Sequence, residues 1–184
     1  MLRARDIPNA ITIMRVFLVP PVGWAILVGE YPIAFWLFFL AGFSDALDGF
    51  LARAFHWQSQ LGATLDPIAD KSLMILAFFC LFWVGSIPWW LFVAVLLRDV
   101  IIIGGALAYQ YLTRNLHMEP LLLGKLNTAL QILVVLAILL HLAFGWFTPA
   151  WITGMSLLLL VTTLLSGVAY VREWSRRARR YRAS

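Results

Sequence analysis

Four aspartates, Asp45, Asp48, Asp66 and Asp70, fall within 26 residues of a chain that is 62% hydrophobic and only 12% charged. Asp45 and Asp48 are three apart, and Asp66 and Asp70 four apart, so on helices each pair shares one face. Pro67 suits the first turn of the second helix, and the short intervening loop makes the two helices antiparallel neighbours. Their acidic faces then converge near a membrane boundary. Four carboxylates at one site repel and raise each other's pKa unless cations are present. Burying each charge costs roughly 3 kcal/mol even on a mild insertion scale. A divalent metal resolves this, and all-oxygen ligation without a Cys or His cluster favours Mg²⁺ or Mn²⁺ over zinc.

The neighbouring residues indicate the metal's task. Gly49 and Gly62 lack side chains, so a phosphate or nucleotide can approach the backbone. Ala52 keeps that approach open, and Arg53 offers a planar donor fork for phosphate oxygens. Metal, arginine and glycines together describe phosphoryl transfer at a membrane surface. One carboxylate at a helix end often only solvates a membrane boundary. Four of them, with two glycines and an arginine in this order, do not fit that simpler role.

These residues must be carried by helices that cross a bilayer. Apolar runs near the ~20 residues needed recur at 8–28, 32–54, 65–84, 88–112, 121–143 and 149–171. Gly/Pro clusters at Gly29-Pro32, Gly85-Pro88 and Gly145-Pro149 punctuate them. The expected fold is all-α, a polytopic integral membrane protein with six transmembrane helices in one bundle. Residues 1–184 form a single domain with a basic tail at 172–184. Lys and Arg gather before helix 1, after helix 2, around the helix 4–5 loop and after helix 6, while the three opposite loops have none. By the positive-inside rule both termini and the 54–64 loop are cytoplasmic. The net charge of +5 follows from this asymmetry and from attraction to anionic headgroups, not from nucleic-acid binding. A signal peptide over the first 28 residues fits less well than a retained helix, given five further spans and no clear cleavage site after Pro20-Pro21. The single Cys80 excludes a disulfide framework within the chain.

The stretch Asp45-x2-Asp48-Gly49-x2-Ala52-Arg53-x8-Gly62-x3-Asp66-x3-Asp70 resembles the complete signature of the CDP-alcohol phosphatidyltransferase family, matching eight specified positions. The six-helix layout and the PNAITIMR segment extend the resemblance across nearly the whole chain. It implies a cytidine-linked lipid donor, CDP-diacylglycerol, displacement of CMP, and a two-metal site. By that resemblance Asp45, Asp48, Asp66 and Asp70 bind metal, and Asp70 also takes the acceptor's hydroxyl proton. Gly49, Arg53 and Ser59 match positions that hold the CDP portion. Ala52, Gly62, Asn9 and Thr12 are assigned to the donor site on the same ground. The resemblance further implies a homodimer and, for the source membrane, a bacterial or mitochondrial inner membrane with the site on the cytoplasmic or matrix side.

The second substrate is left to the remaining charges. Arg15 shares a face of helix 1 with Thr12, Arg98-Asp99 interrupts apolar helix 4, and Lys125 opens helix 5, followed by Asn127 and Gln131. Arg15, Arg98 and Lys125 are the candidate acceptor-binding cations. The simpler alternatives are snorkelling for Arg15 and Lys125, a structural pair for Arg98 and Asp99, and interhelical hydrogen bonding for Asn127 and Gln131. LRDVIIIGG at 97–105 and LLLGKLNTALQILV at 121–134 look more like the cardiolipin synthases of the family, which use phosphatidylglycerol. The alternative acceptor is glycerol 3-phosphate, as in phosphatidylglycerophosphate synthases. A divalent-cation transporter is the competing class. It should place its acids near the bilayer midplane and in related halves, whereas these acids sit at one edge with no mirroring half.

Overall fold

A computed structural model describes the backbone of residues 7–54, 60–113 and 121–183, and the side chains of 13–44, 71–106 and 121–176. Six helices account for this backbone: α1 (Ile7–Leu27), α2 (Tyr31–Ala54), α3 (Gln60–Trp83), α4 (Trp89–Thr113), α5 (Leu122–Phe144) and α6 (Pro149–Ala183). All-α architecture with six helices is as expected. Two boundaries differ. α3 starts at Gln60, so Pro67 lies inside the helix, not in its first turn. α6 continues through the basic segment to Ala183, because Arg, Glu and Ala there are good helix formers and no Gly or Pro stops the helix.

The helices are ended where the punctuation predicts. Gly29 and Gly85 adopt φ of +82° and +76°, the left-handed conformation that costs glycine nothing. The Gly29 amide donates to the Ile26 carbonyl at 3.2 Å and the Glu30 amide to Ala25 at 2.9 Å. Gly85 donates to Phe82 and Ser86 to Leu81, both at 2.9 Å. Each pair is a Schellman cap that satisfies carbonyls left open at a helix end. Pro20 and Pro21 lie inside α1 and remove two amide donors, a loss that packing in a helical bundle tolerates.

Among the described residues, α4 (Trp89–Ala106), α5 (Leu122–Phe144) and α6 (Pro149–Arg176) carry stretches long and apolar enough to cross a membrane. The described apolar parts of α1, α2 and α3 are shorter: Ile13–Leu27, Tyr31–Ser44 and Lys71–Trp83. Trp83, Trp89, Trp146 and Trp151 stand exposed at helix ends, where an aromatic belt meets the interface.

The chain divides into two compact units: 1–86 with 135–148, and 87–134 with 149–184. In the first, α1 packs along both α2 and α3. The buried stripe is helical in period: Val22, Ala25 and Ile26 on α1, Ala34, Phe38 and Ala41 on α2, and Leu73, Met74, Ala77, Phe78 and Leu81 on α3. Alanines recur on it, and small residues let membrane helices approach closely. A Cβ at Gly23 would lie 2.7 Å from Leu76 Cδ2, which shows how tightly α1 meets α3. In the second unit α4 packs against α6. Arg98 meets Ser166 and Gly105 faces Trp174, so the two helices run in the same direction. α5 runs the opposite way along α6, with Gly124 against Tyr170 and Asn127 against Thr162 and Thr163.

Candidate functional site

The motif residues fall on two consecutive helices of the first unit. The last ten residues of α2, 45–54, carry Asp45, Asp48, Gly49, Ala52 and Arg53, and the first eleven of α3, 60–70, carry Gly62, Asp66 and Asp70. Asn9 and Thr12 lie near the start of α1. The side chains of all ten lie outside the described residues, as does Ser59 entirely. Only a short link, 28–30, joins α1 to α2, and 55–59 joins α2 to α3. With α1 packed along both, the end of α2, the start of α3 and the start of α1 belong to the same end of this unit.

Three described side chains close to the motif in the sequence are buried. Ser44, the residue before Asp45, is 5% exposed, and Leu73, three after Asp70, is 3% exposed. Arg15, one turn beyond Thr12 on α1, is 1% exposed. A snorkelling arginine would keep its head in water, so the alternative reading for Arg15 does not describe its placement. Among the described residues no cluster of three or more Asp, Glu, His or Cys side chains forms. The donor set of the motif, four carboxylates on two helix faces, fits a hard divalent cation by its chemistry.

The second unit holds the other two candidate cations in contrasting settings. Lys125 is exposed in the first turn of α5. Arg98 is buried, and all three of its guanidinium nitrogens donate. Nη1 reaches Asp99 Oδ1 at 2.7 Å, Nη2 reaches the Gly124 carbonyl at 3.1 Å, and Nε and Nη2 each reach Ser166 Oγ at 3.3 Å. The Tyr170 ring lies beneath the guanidinium, 5.9 Å from centroid to Cζ. One arginine thus joins α4, α5 and α6, a geometry only a planar fork supplies. Its hold on Gly124 fixes the backbone immediately before Lys125. A Cβ at Gly124 would lie 2.5 Å from the Tyr170 hydroxyl, so any larger residue there has to displace the tyrosine side chain.

Asn127 does act as interhelical glue. Its Oδ1 accepts from Thr162 at 2.9 Å and Thr163 at 3.0 Å. Gln131, one turn on, is fully buried, and neither atom of its amide has a hydrogen-bond partner among the described residues. Ser166, Thr162, Thr163 and Tyr170 were not singled out by the residue pattern. A signal was present: in the apolar run 149–171 they recur at helical spacing as a polar stripe.

A family model described as CDP-alcohol phosphatidyltransferase matches residues 5–170. Cardiolipin synthase (CMP-forming) of Homo sapiens is 32% identical over 182 residues, covering 89% of this chain and 60% of that protein. A chloroplastic CDP-diacylglycerol–glycerol-3-phosphate 3-phosphatidyltransferase of Oryza sativa subsp. japonica is 34% identical over 186 residues, covering 91% of this chain and 56% of that protein. A probable phosphatidylglycerophosphate synthase of Mycobacterium tuberculosis is 30% identical over 175 residues, covering 92% and 81%. The chain therefore spans about 60% of the length of the first of these relatives and most of the last.

Proposed function

We propose a function from a premise the family match supplies, that the chain belongs to the CDP-alcohol phosphatidyltransferase family. It moves a phosphatidyl group from CDP-diacylglycerol to the hydroxyl of a glycerol-type acceptor and releases CMP. The family match over residues 5–170 supports this reading most directly, and it agrees with the positions of Asp45, Asp48, Gly49 and Arg53 in the sequence of α2 and of Asp66 and Asp70 in that of α3.

The chemistry follows from those residue types. The acceptor oxygen forms a new bond to the lipid-side phosphorus, and the bridging P–O bond to CMP breaks. Mg²⁺ or Mn²⁺, held by Asp45, Asp48, Asp66 and Asp70 as a two-metal site, would neutralise diphosphate charge and the charge developing on departing CMP. Asp70 takes the hydroxyl proton during attack. Arg53 grips donor phosphate oxygens with its planar fork, while Gly49, Gly62 and Ala52 leave room for the nucleotide and Asn9, Thr12 and Ser59 complete the donor site.

Phosphatidylglycerol is the acceptor on this proposal, supported by the 97–105 and 121–134 segments and by the cardiolipin synthase relatives. Glycerol 3-phosphate is the second reading, favoured by the similarity to the Oryza transferase. Either acceptor carries a phosphate and calls for cations. Arg15, Arg98 and Lys125 are the candidate cations of the sequence for it, and Arg98 holds the Gly124 carbonyl beside Lys125. The bilayer, a homodimer, and a site on the cytoplasmic or matrix face of a bacterial or mitochondrial inner membrane complete the proposal.

The test is purified full chain with CDP-diacylglycerol, Mg²⁺ or Mn²⁺, and phosphatidylglycerol or glycerol 3-phosphate, reading CMP and the lipid product. CMP release strictly dependent on acceptor and metal is expected, with cardiolipin as product. Phosphatidylglycerophosphate with no cardiolipin selects the second acceptor, and no CMP with either overturns the reaction.

A further inference from the structure

A groove of about 480 Å³ opens between α4 and α6, within the size range of ligand sites (~300–1,000 Å³). Its walls are Leu97 and Ile101 on α4 and Leu164 and Val168 on α6, all between 40% and 55% exposed. Its floor is Gly167. That residue is buried, yet a Cβ added there would meet no atom within 4 Å. Bare backbone under open space is what makes the groove deep. Arg98 and Thr163 also border it, but their polar atoms are engaged by Asp99, Gly124, Ser166 and Asn127. Arg172 closes one end, exposed and making no ion pair among the described residues.

The occupant follows from these dimensions. From Leu164 to Arg172 the groove follows α6 for roughly 12 Å at the rise of an α-helix. That approaches one leaflet, about half of a ~30 Å hydrocarbon core. Both helices carry membrane-crossing stretches, so acyl chains are the surrounding medium. Arg172 stands where the apolar part of α6 gives way to its basic end, with Arg176 one turn further. That is the level at which basic residues beside a transmembrane helix meet anionic headgroups. We propose that the α4–α6 groove holds one acyl chain of an anionic glycerophospholipid as a resident lipid, with the lipid's phosphate against Arg172. This requires that the helices span a bilayer and nothing of the transfer reaction.

The full chain, purified in detergent without CDP-diacylglycerol or metal, is incubated with phosphatidylglycerol or phosphatidylcholine bearing a diazirine on one acyl chain, then irradiated. Peptide mapping is expected to place the phosphatidylglycerol label within 97–101 and 164–168. Arg172→Gln should weaken retention of phosphatidylglycerol about five-fold, the loss of ~1 kcal/mol from one basic residue near the surface, and leave phosphatidylcholine unchanged. Gly167→Leu fills the groove and should abolish the label at these positions. If that variant does not fold, the wild-type map and Arg172→Gln still decide. Label spread evenly over exposed faces such as Trp36 and Phe39 of α2 overturns the site. Equal retention of the two lipids, or no effect of Arg172→Gln, overturns the anionic occupant. Phosphatidylglycerol bound without turnover keeps this outcome separate from that of the transfer assay.

Discussion

Arg98 Nη1 lies 2.7 Å from Oδ1 of Asp99, its own neighbour in the chain, with both side chains at most 4% exposed. Adjacent positions on a helix point about 100° apart, so the pair forms only because the long arginine side chain bends back while its other nitrogens reach Gly124 and Ser166. Removing one partner of a buried pair leaves an uncompensated charge, at a cost of ~3–5 kcal/mol. Arg98→Met should lower the thermal midpoint in detergent markedly, and the double variant with Asp99→Leu should recover part of the loss. A double variant less stable than Arg98→Met would show that the pair is not the source of the cost.

Gln131 and Asn127 are one turn apart on α5 and make opposite predictions. A buried amide without a partner costs ~1–3 kcal/mol, so Gln131→Leu should be neutral or stabilising. Asn127→Leu should destabilise, because the hydroxyls of Thr162 and Thr163 lose their shared acceptor. Chemical denaturation of the two variants beside wild type checks the sign of each. The Gln131→Leu variant falling with Asn127→Leu would mean the glutamine amide is satisfied.

Asp45→Asn, Asp48→Asn and Asp66→Asn each remove a charged metal ligand and should abolish CMP release. Chelator should silence the wild type, and added Mg²⁺ or Mn²⁺ should restore it. CMP release that persists in saturating chelator would sink the metal assignment.

Arg53→Lys keeps its charge and loses the planar fork, which an ammonium does not reproduce. Donor titrations should show weaker use of CDP-diacylglycerol whichever acceptor is supplied. Curves that superimpose on wild type would reduce Arg53 to a topology charge.

Asp70→Asn separates binding from chemistry. Asp45, Asp48 and Asp66 remain to hold metal, so titration calorimetry should still detect a CDP ligand. Single-turnover rate should fall by the ~10²–10⁴-fold typical of a lost general base. If binding and rate fall together, Asp70 is a ligand only and the base lies elsewhere.

Residue types and their local spacing determined the all-α class, the helix positions and the motif. Hydropathy runs, glycine caps such as Gly29 and Gly85, and the i, i+3 and i, i+4 spacing of the aspartates act within one helix or one turn. For the same reason the four aspartates could be assigned to two consecutive helices, α2 and α3, before any packing was known. Local signals missed the start of α3 at Gln60 and the continuation of α6 to Ala183, because a fall in hydropathy marks the edge of a membrane and not the end of a helix. Tertiary structure decided what pairs across the chain. Arg98 and Ser166 are 68 residues apart, and nothing in either segment states that a guanidinium will be shared among three helices. It also decided that Arg15 is buried while Lys125 is exposed, though both read as cations near a span boundary. The groove over Gly167 belongs to neither helix alone. It exists because α4 and α6 run side by side and one position lacks the side chain that would fill the space between them.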